Sequence, residues 1–176
     1  TDNAANVYTS AVGPVTANNP SQMFYRQGAS AGATLVSVVY SNSNMAASQC
    51  FVAEYSGIAV IGAIDVTAVG SSLAATSNQT TAAATINQDV ELLFCGIGME
   101  TTTVTPTSGA DFVNRTSVAR GGIEDRFSTA VLTLTGGWVA IVPTNDGWQC
   151  LMATFKSATA GVVVAEALDA SYVMVA

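Results

Sequence analysis

Phe51-Val52-Ala53-Glu54-Tyr55-Ser56-Gly57 alternates with a period of two: Glu54 turns away from its apolar neighbours, and Gly57 ends the run. Val131-Leu132-Thr133-Leu134-Thr135 repeats the pattern, with both leucines on one face and Val131, Thr133 and Thr135 on the other. Such runs are half-buried antiparallel strands with one face on a core. Outward from these two, similar runs occupy residues 6–12, 23–27, 34–40, 49–56, 58–69, 89–97, 112–119, 126–134, 138–142 and 149–156. Turn residues cut them apart, among them Gly13-Pro14, Asn18-Asn19-Pro20, Ser41-Asn42-Ser43-Asn44 and Gly121-Gly122. About ten strands at roughly 8–12 residue spacing predict an all-β, antiparallel, jelly-roll-like β-sandwich. Parallel α/β folds need crossovers of about a dozen residues or more. Apart from the Ala-rich residues 45–48, the sequence has no helical period.

The composition narrows the function classes. The chain has 176 residues, 49% hydrophobic and only 10% charged, where an ordinary soluble domain has about 25% charged. Thr, Ser, Ala, Val, Gly and Asn dominate, and Lys156 is the sole lysine. A surface made soluble by hydroxyls and amides points to a secreted β protein, extracellular or at the cell surface. The net charge of −7 disfavours nucleic acid, whose phosphates need clustered Lys and Arg. No apolar run reaches the ~20 residues of a membrane-spanning helix. The chain opens Thr1-Asp2-Asn3, with neither an initiator Met nor an apolar leader, and so reads as a mature product.

Candidate chemistry is sparse. There is no histidine, which removes His bases, His triads and His metal ligands. No nucleophile elbow, phosphate loop or dinucleotide fingerprint occurs. Glu124-Asp125-Arg126 is the densest charge cluster. It is read as a solvated loop or local ion pair rather than as the two spaced carboxylates of a glycosidase. Asp2, Asn3, Asn6 and Asn145-Asp146 are read as hairpin caps rather than Ca²⁺ ligands. Trp138, Trp148, Tyr25 and Tyr55 are read as core aromatics rather than a sugar-stacking platform. The chain is therefore expected to be no enzyme, with no cofactor and no metal. Cys50, Cys95 and Cys150 each lie in an apolar run. Either all three are buried thiols or two are bridged, and the spacing does not choose which two. Asn78-Gln79-Thr80 and Asn114-Arg115-Thr116 are N-x-[ST] acceptor sequons, and the Thr-rich residues 101–107 offer hydroxyls for glycosylation.

Five segments carry a resemblance: Asp2-Asn3-Ala4-Ala5-Asn6-Val7-Tyr8-Thr9, Val52-Ala53-Glu54-Tyr55-Ser56-Gly57, Ile64-Asp65-Val66-Thr67-Ala68, Glu91-Leu92-Leu93-Phe94 and Met152-Ala153-Thr154-Phe155-Lys156. In this order and spacing they resemble a group of secreted bacterial jelly-roll β-sandwich surface modules, concanavalin-A-like in general shape. The resemblance covers most of residues 1–156. It implies a fold and a compartment, and it supplies no catalytic residues. Modules of that kind carry one or two apolar strands ahead of the Asp2–Tyr8 segment, so a strand is expected to be missing in front.

Behind the sandwich of residues 1–156, residues 157–176 form a small-residue linker and an apolar tail. The tail contains Val162-Val163-Val164 and Tyr172-Val173-Met174-Val175. It is strand-forming and too apolar to float in water. A sandwich short of one strand and a spare strand at the other end predict strand donation, in which Val162, Val163, Val164, Tyr172, Val173 and Val175 complete a neighbouring copy beside residues 6–12; the alternatives are that the tail fills the gap within its own chain or is the last edge strand of a monomer. Head-to-tail contacts of this kind build filaments when the rotation does not close. The expected role is a structural, pilus-like subunit of an extracellular homopolymer whose partner is itself. The alternative is a carbohydrate-binding or adhesive module with surface glycans as partners.

Overall fold

The computed structural model describes residues 1–15, 20–39, 48–74, 76–100, 104–142, 147–158 and 171–175; for 141, 142 and 171–175 the backbone alone is described. Among the described residues there is no helix, and fourteen strands form: β1 (Thr9–Val15), β2 (Ser21–Arg26), β3 (Phe51–Tyr55), β4 (Ile64–Ser72), β5 (Thr76–Thr80), β6 (Ala84–Thr85), β7 (Val90–Met99), β8 (Thr107–Ser108), β9 (Val113–Val118), β10 (Gly121–Thr129), β11 (Thr133–Leu134), β12 (Gly137–Val142), β13 (Trp148–Lys156) and β14 (Ser171–Val175). All ladders are antiparallel. The result is the all-β, sandwich-like arrangement that the alternation predicts.

The centre is a five-stranded sheet of order β4-β13-β7-β10-β9. One face carries Leu92, Phe94, Ile123, Leu151, Ala153 and Phe155, which pack against Val12, Met23, Tyr55 and neighbours of a four-stranded sheet of order β1-β2-β14-β3. The other face carries Ile97, Met99, Cys150, Leu93, Cys95 and Met152. It is covered by Trp138 and Ala140 of the small β5-β12-β8 sheet and by Ala84 and Leu134 of the β6-β11 pair. The central sheet is thus buried on both faces. β7 and β13 are almost wholly buried along their length, which is why they read as continuous apolar runs instead of alternating ones. The expectation of strands with one solvated face holds for the outer layers only.

Three local readings change. Gly121-Gly122 is the start of β10, not a turn. A Cβ on Gly122 would meet the Trp138 ring at 2.9 Å, and one on Gly121 would meet Gln49 Oε1 at 2.6 Å. These glycines are there because another layer presses on the backbone. Glu124-Asp125 lies inside β10 with both residues fully buried, so the solvated-loop reading is wrong, whereas the local ion pair does form, between Arg115 and Asp125. Residues 34–39 form a single bridge, Asp2↔Val36, instead of a strand. The N-terminal residues are their only ladder neighbour among those described, through Asn3 N–H to Leu35 O and Ser37 N–H to Thr1 O. Val39 stays 92% exposed. Residues 45–47 lie outside the described residues.

Candidate functional site: a strand slot and its walls

β14 sits between β2 and β3 and pairs with both. Val175 stands opposite Met23 on one side and Phe51 on the other, and Val173 opposite Tyr25 and Ala53. Met23 is fully buried, and Tyr25, Phe51 and Ala53 pack on the same core. β14 is antiparallel to both neighbours, so β2 and β3 run parallel to each other, two ladder spacings or about 9–10 Å apart. That is too far for their own backbones to bond. The space between them is a slot one strand wide. β3 pairs with no other strand among those described. The tail therefore lies one strand away from β1, with β2 intervening, not beside residues 6–12. Tyr172, Val173 and Val175 belong to β14, while Val162, Val163 and Val164 lie outside the described residues.

β3 has side-chain ties to the sandwich in addition to its ladder with β14. The Tyr55 hydroxyl donates to the Asp125 carboxylate across the core. Arg115 grips the same carboxylate with two bonds, Nε to Oδ2 at 2.6 Å and a terminal guanidinium nitrogen to Oδ1 at 2.8 Å. Burial, and the Asp125 charge after it, push the Tyr55 phenol well above its ordinary range, so it remains a donor. At the head of β3, Gln49 Nε2 donates to Ala119 O at 2.6 Å. On the opposite wall, Ser21 N–H donates to Gln149 Oε1 at 2.9 Å and fixes β2 to β13. A charged, bidentate contact holding a buried phenol is stronger than a neutral hydrogen bond.

The remaining candidates divide clearly. Glu124 and Asp125 are consecutive in a strand, so they face opposite layers and cannot act as a carboxylate pair. Glu124 Oε2 accepts the Gly109 N–H at 2.9 Å, and burial pushes its pKa up to about 8. Asp2 is satisfied within its own turn: it accepts from Ala4 N–H, Asn6 N–H, Asn6 Nδ2 and Tyr8 Oη at 2.8–3.0 Å. Asn145-Asp146 lies outside the described residues. Among the described residues no group of three His, Cys, Asp or Glu could hold a metal. Trp138, Trp148 and Tyr55 are buried, and Tyr25 stacks tilted on Phe155 at 5.7 Å. All three cysteines are free thiols: Cys50 is exposed, whereas Cys95 and Cys150 are buried. Asn78 and Asn114 are both exposed, on β5 and β9. Asn78 also lines an open cavity of about 320 Å³ on the outer side of the β5-β12-β8 sheet, with Thr80, Phe112, Thr135 and Val139.

Sequence reasoning missed the Tyr55–Asp125–Arg115 pin. It also missed a second polar cluster, in which the Asp65 carboxylate lies 3.6 Å from the Lys156 ammonium next to a fully buried Glu91. The signal for the second was present, since Lys156 is the only lysine in the chain. No known protein family, curated protein or solved structure matches this chain.

Proposed function

We propose that the chain is a structural subunit of an extracellular homopolymer, a filament or surface layer, in which the β14 strand of one copy occupies the β2–β3 slot of the next. One observation carries this reading: a C-terminal strand, reached through residues 157–170, fills a gap between two parallel strands that cannot close by themselves. Handing β14 to a neighbour keeps every backbone hydrogen bond of the slot, which is the low-cost logic of strand exchange. The contact is head-to-tail, so the subunit's partner is another copy of itself. The hydroxyl- and amide-rich surface and the scarcity of charge support an extracellular setting. The absence of histidine and the opposed faces of Glu124 and Asp125 support a role without turnover of a substrate. Glycans at Asn78 and Asn114 belong to the same reading.

The test is electron microscopy and sedimentation of the full chain beside a chain ending at residue 158. The full chain is expected to form concentration-dependent polymers. The shortened chain should be a less stable monomer, and a synthetic peptide of residues 159–176 should restore its stability without restoring polymers. Polymers from the shortened chain, or a strictly monomeric full chain at high concentration, would overturn strand donation. The cavity beside Asn78 favours a second reading as a carbohydrate-binding or adhesive module. It is lined by the carboxamide of Asn78 and the hydroxyls of Thr80 and Thr135 together with Phe112 and Val139, and by no charged side chain. Retention on neutral polysaccharides, lost on Asn78→Ala with Thr135→Ala, would favour that reading over the first.

A further inference from the structure

We propose that Lys156 and Asp65 condense into a side-chain amide that staples β13 to β4, with Glu91 carrying the proton between them. The three residues sit on three adjacent strands of the central sheet. Asp65 is on β4, Lys156 on β13, and Glu91 stands directly opposite Lys156 in the β13–β7 ladder. Residues directly opposite in a ladder share a face. The Lys156 Nζ is 3.6 Å from Asp65 Oδ1, an oxygen one bond away from the carboxyl carbon it would attack.

The surroundings suit condensation. The Asp65 side chain is 5% exposed and Glu91 is fully buried. Burial first, and then the hydrogen bond to Asp65 and its charge, push Glu91 up to about 7 against the opposing bond with Thr154, so it holds a proton at mildly acid to neutral pH. Asp65 Oδ2 accepts the Asn87 backbone N–H at 2.7 Å and Asn87 Nδ2 at 3.0 Å. These two donors are placed to stabilise negative charge on that oxygen as the carboxyl carbon becomes tetrahedral. The other cations of the chain are all arginine, whose guanidinium is not a nucleophile at these pH values. The chain's sole primary side-chain amine is the one placed beside a buried carboxyl pair.

The step balances without a co-reactant. The ammonium of Lys156 and the carboxylate of Asp65 become a neutral amide and one water. The Nζ–Cγ bond forms, the Cγ–Oδ1 bond breaks, and Asn87 keeps its bonds to Oδ2. Glu91 gives its proton to Oδ1 and takes one from Nζ, twice in turn, so that both protons lost by Nζ leave with Oδ1 as water and Glu91 ends as it began. The driving terms are the high effective concentration of the two groups and the removal of the buried Asp65 charge. The reaction happens once per chain, on the chain itself, and does not depend on polymerisation.

Intact-mass measurement of the purified full chain, denatured and reduced after folding, tests this. The expected result is a mass one water below that of the sequence, with a protease fragment joining the segments that hold Asp65 and Lys156. Lys156→Arg keeps the ion pair and cannot form the amide; it should have its full sequence mass. Glu91→Gln should stay uncrosslinked or react many-fold more slowly. A merely structural ion pair would change melting temperature in these variants and leave mass untouched. A folded wild-type chain at full mass, a water loss mapped to other residues, or crosslinking of folded Glu91→Gln at the wild-type rate would overturn the proposal.

Discussion

Asp125 is a fully buried carboxylate, and its neighbours decide what it costs. Arg115 neutralises it from the β9 edge and Tyr55 donates from the opposite sheet, so no polar group is orphaned. Tyr55→Phe removes one donor and leaves the ion pair standing; it is expected to lower stability by about 1–3 kcal/mol, read as a lower denaturant midpoint at unchanged slope. Arg115→Ala is expected to cost more, about 3–5 kcal/mol, because it leaves a buried charge unpaired. The cysteines separate along the same lines of access. Cys95 stands opposite Met152 and Cys150 opposite Ile97, so the two are diagonal on one face, with Cβ atoms about 7 Å apart. A disulfide needs about 4 Å. Thiol titration is expected to find three thiols per denatured, unreduced chain and only Cys50 reacting in the native protein; a single thiol after denaturation would mean a bridge has formed against this geometry. Buried, unreactive cysteines are small hydrophobes and carry no information about compartment. None of this was legible in residue order. Asp125 is one letter in a charged triplet until the register of β10 sends it inward and Glu124 outward to the other layer.

At the scale of elements, strand identity was legible and strand partnership was not. The runs that became β3, β7, β12 and β13 were found because apolar patterning reports burial. Residues 34–40 carry the same local pattern, yet the described part makes one bridge, because a strand exists only where a neighbour accepts its hydrogen bonds. The tail illustrates both halves. Its β-forming character was plain in Tyr172-Val173-Met174-Val175, but its place between β2 and β3 depends on residues some 120–150 positions away, a pairing that no local period encodes. A strand flanked on both sides uses every backbone N–H, some toward each neighbour, so it tolerates no proline. Val173→Pro removes a ladder hydrogen bond, is expected to cost about 1–3 kcal/mol, and is expected to release β3 along with β14. Hydrogen exchange should show protection lost together in β2, β14 and β3 and retained in β7 and β13. If protection in β3 survives the substitution, the Tyr55 pin alone holds that strand and β14 is not what orders it.

For the molecule as a whole, the buried acids set how stability varies with pH. Glu91 and Glu124 are pushed up to about 7 and about 8, in both cases chiefly by burial, from an unfolded value of 4.5. Between those limits the folded chain binds more protons than the unfolded chain, so stability falls as pH rises. Their contribution is complete below about 4.5 and gone above about 8. Asp2 acts in the other direction. Burial alone would raise it, but hydrogen bonds from Asn6, Tyr8 and Ala4 outweigh it and hold it below 3.8. Its contribution is present above 3.8 and is lost as pH falls further. The two trends place the stability maximum between about 4 and 5, close to the pI of 4.1, where self-repulsion from the net charge of −7 at pH 7 also vanishes. Glu124→Gln separates the specific effect from the general one. It removes the titration on the back face of the sheet while leaving net charge unchanged below pH 8. Melting temperatures of the wild type, followed by circular dichroism in dilute solution from pH 4 to 9, are expected to decline steadily on the alkaline side. The variant, although less stable at pH 4.5, should decline less steeply between pH 5 and 8. Parallel curves would mean that Glu124 is ionised in the folded state at neutral pH and that the alkaline loss comes from charge repulsion alone.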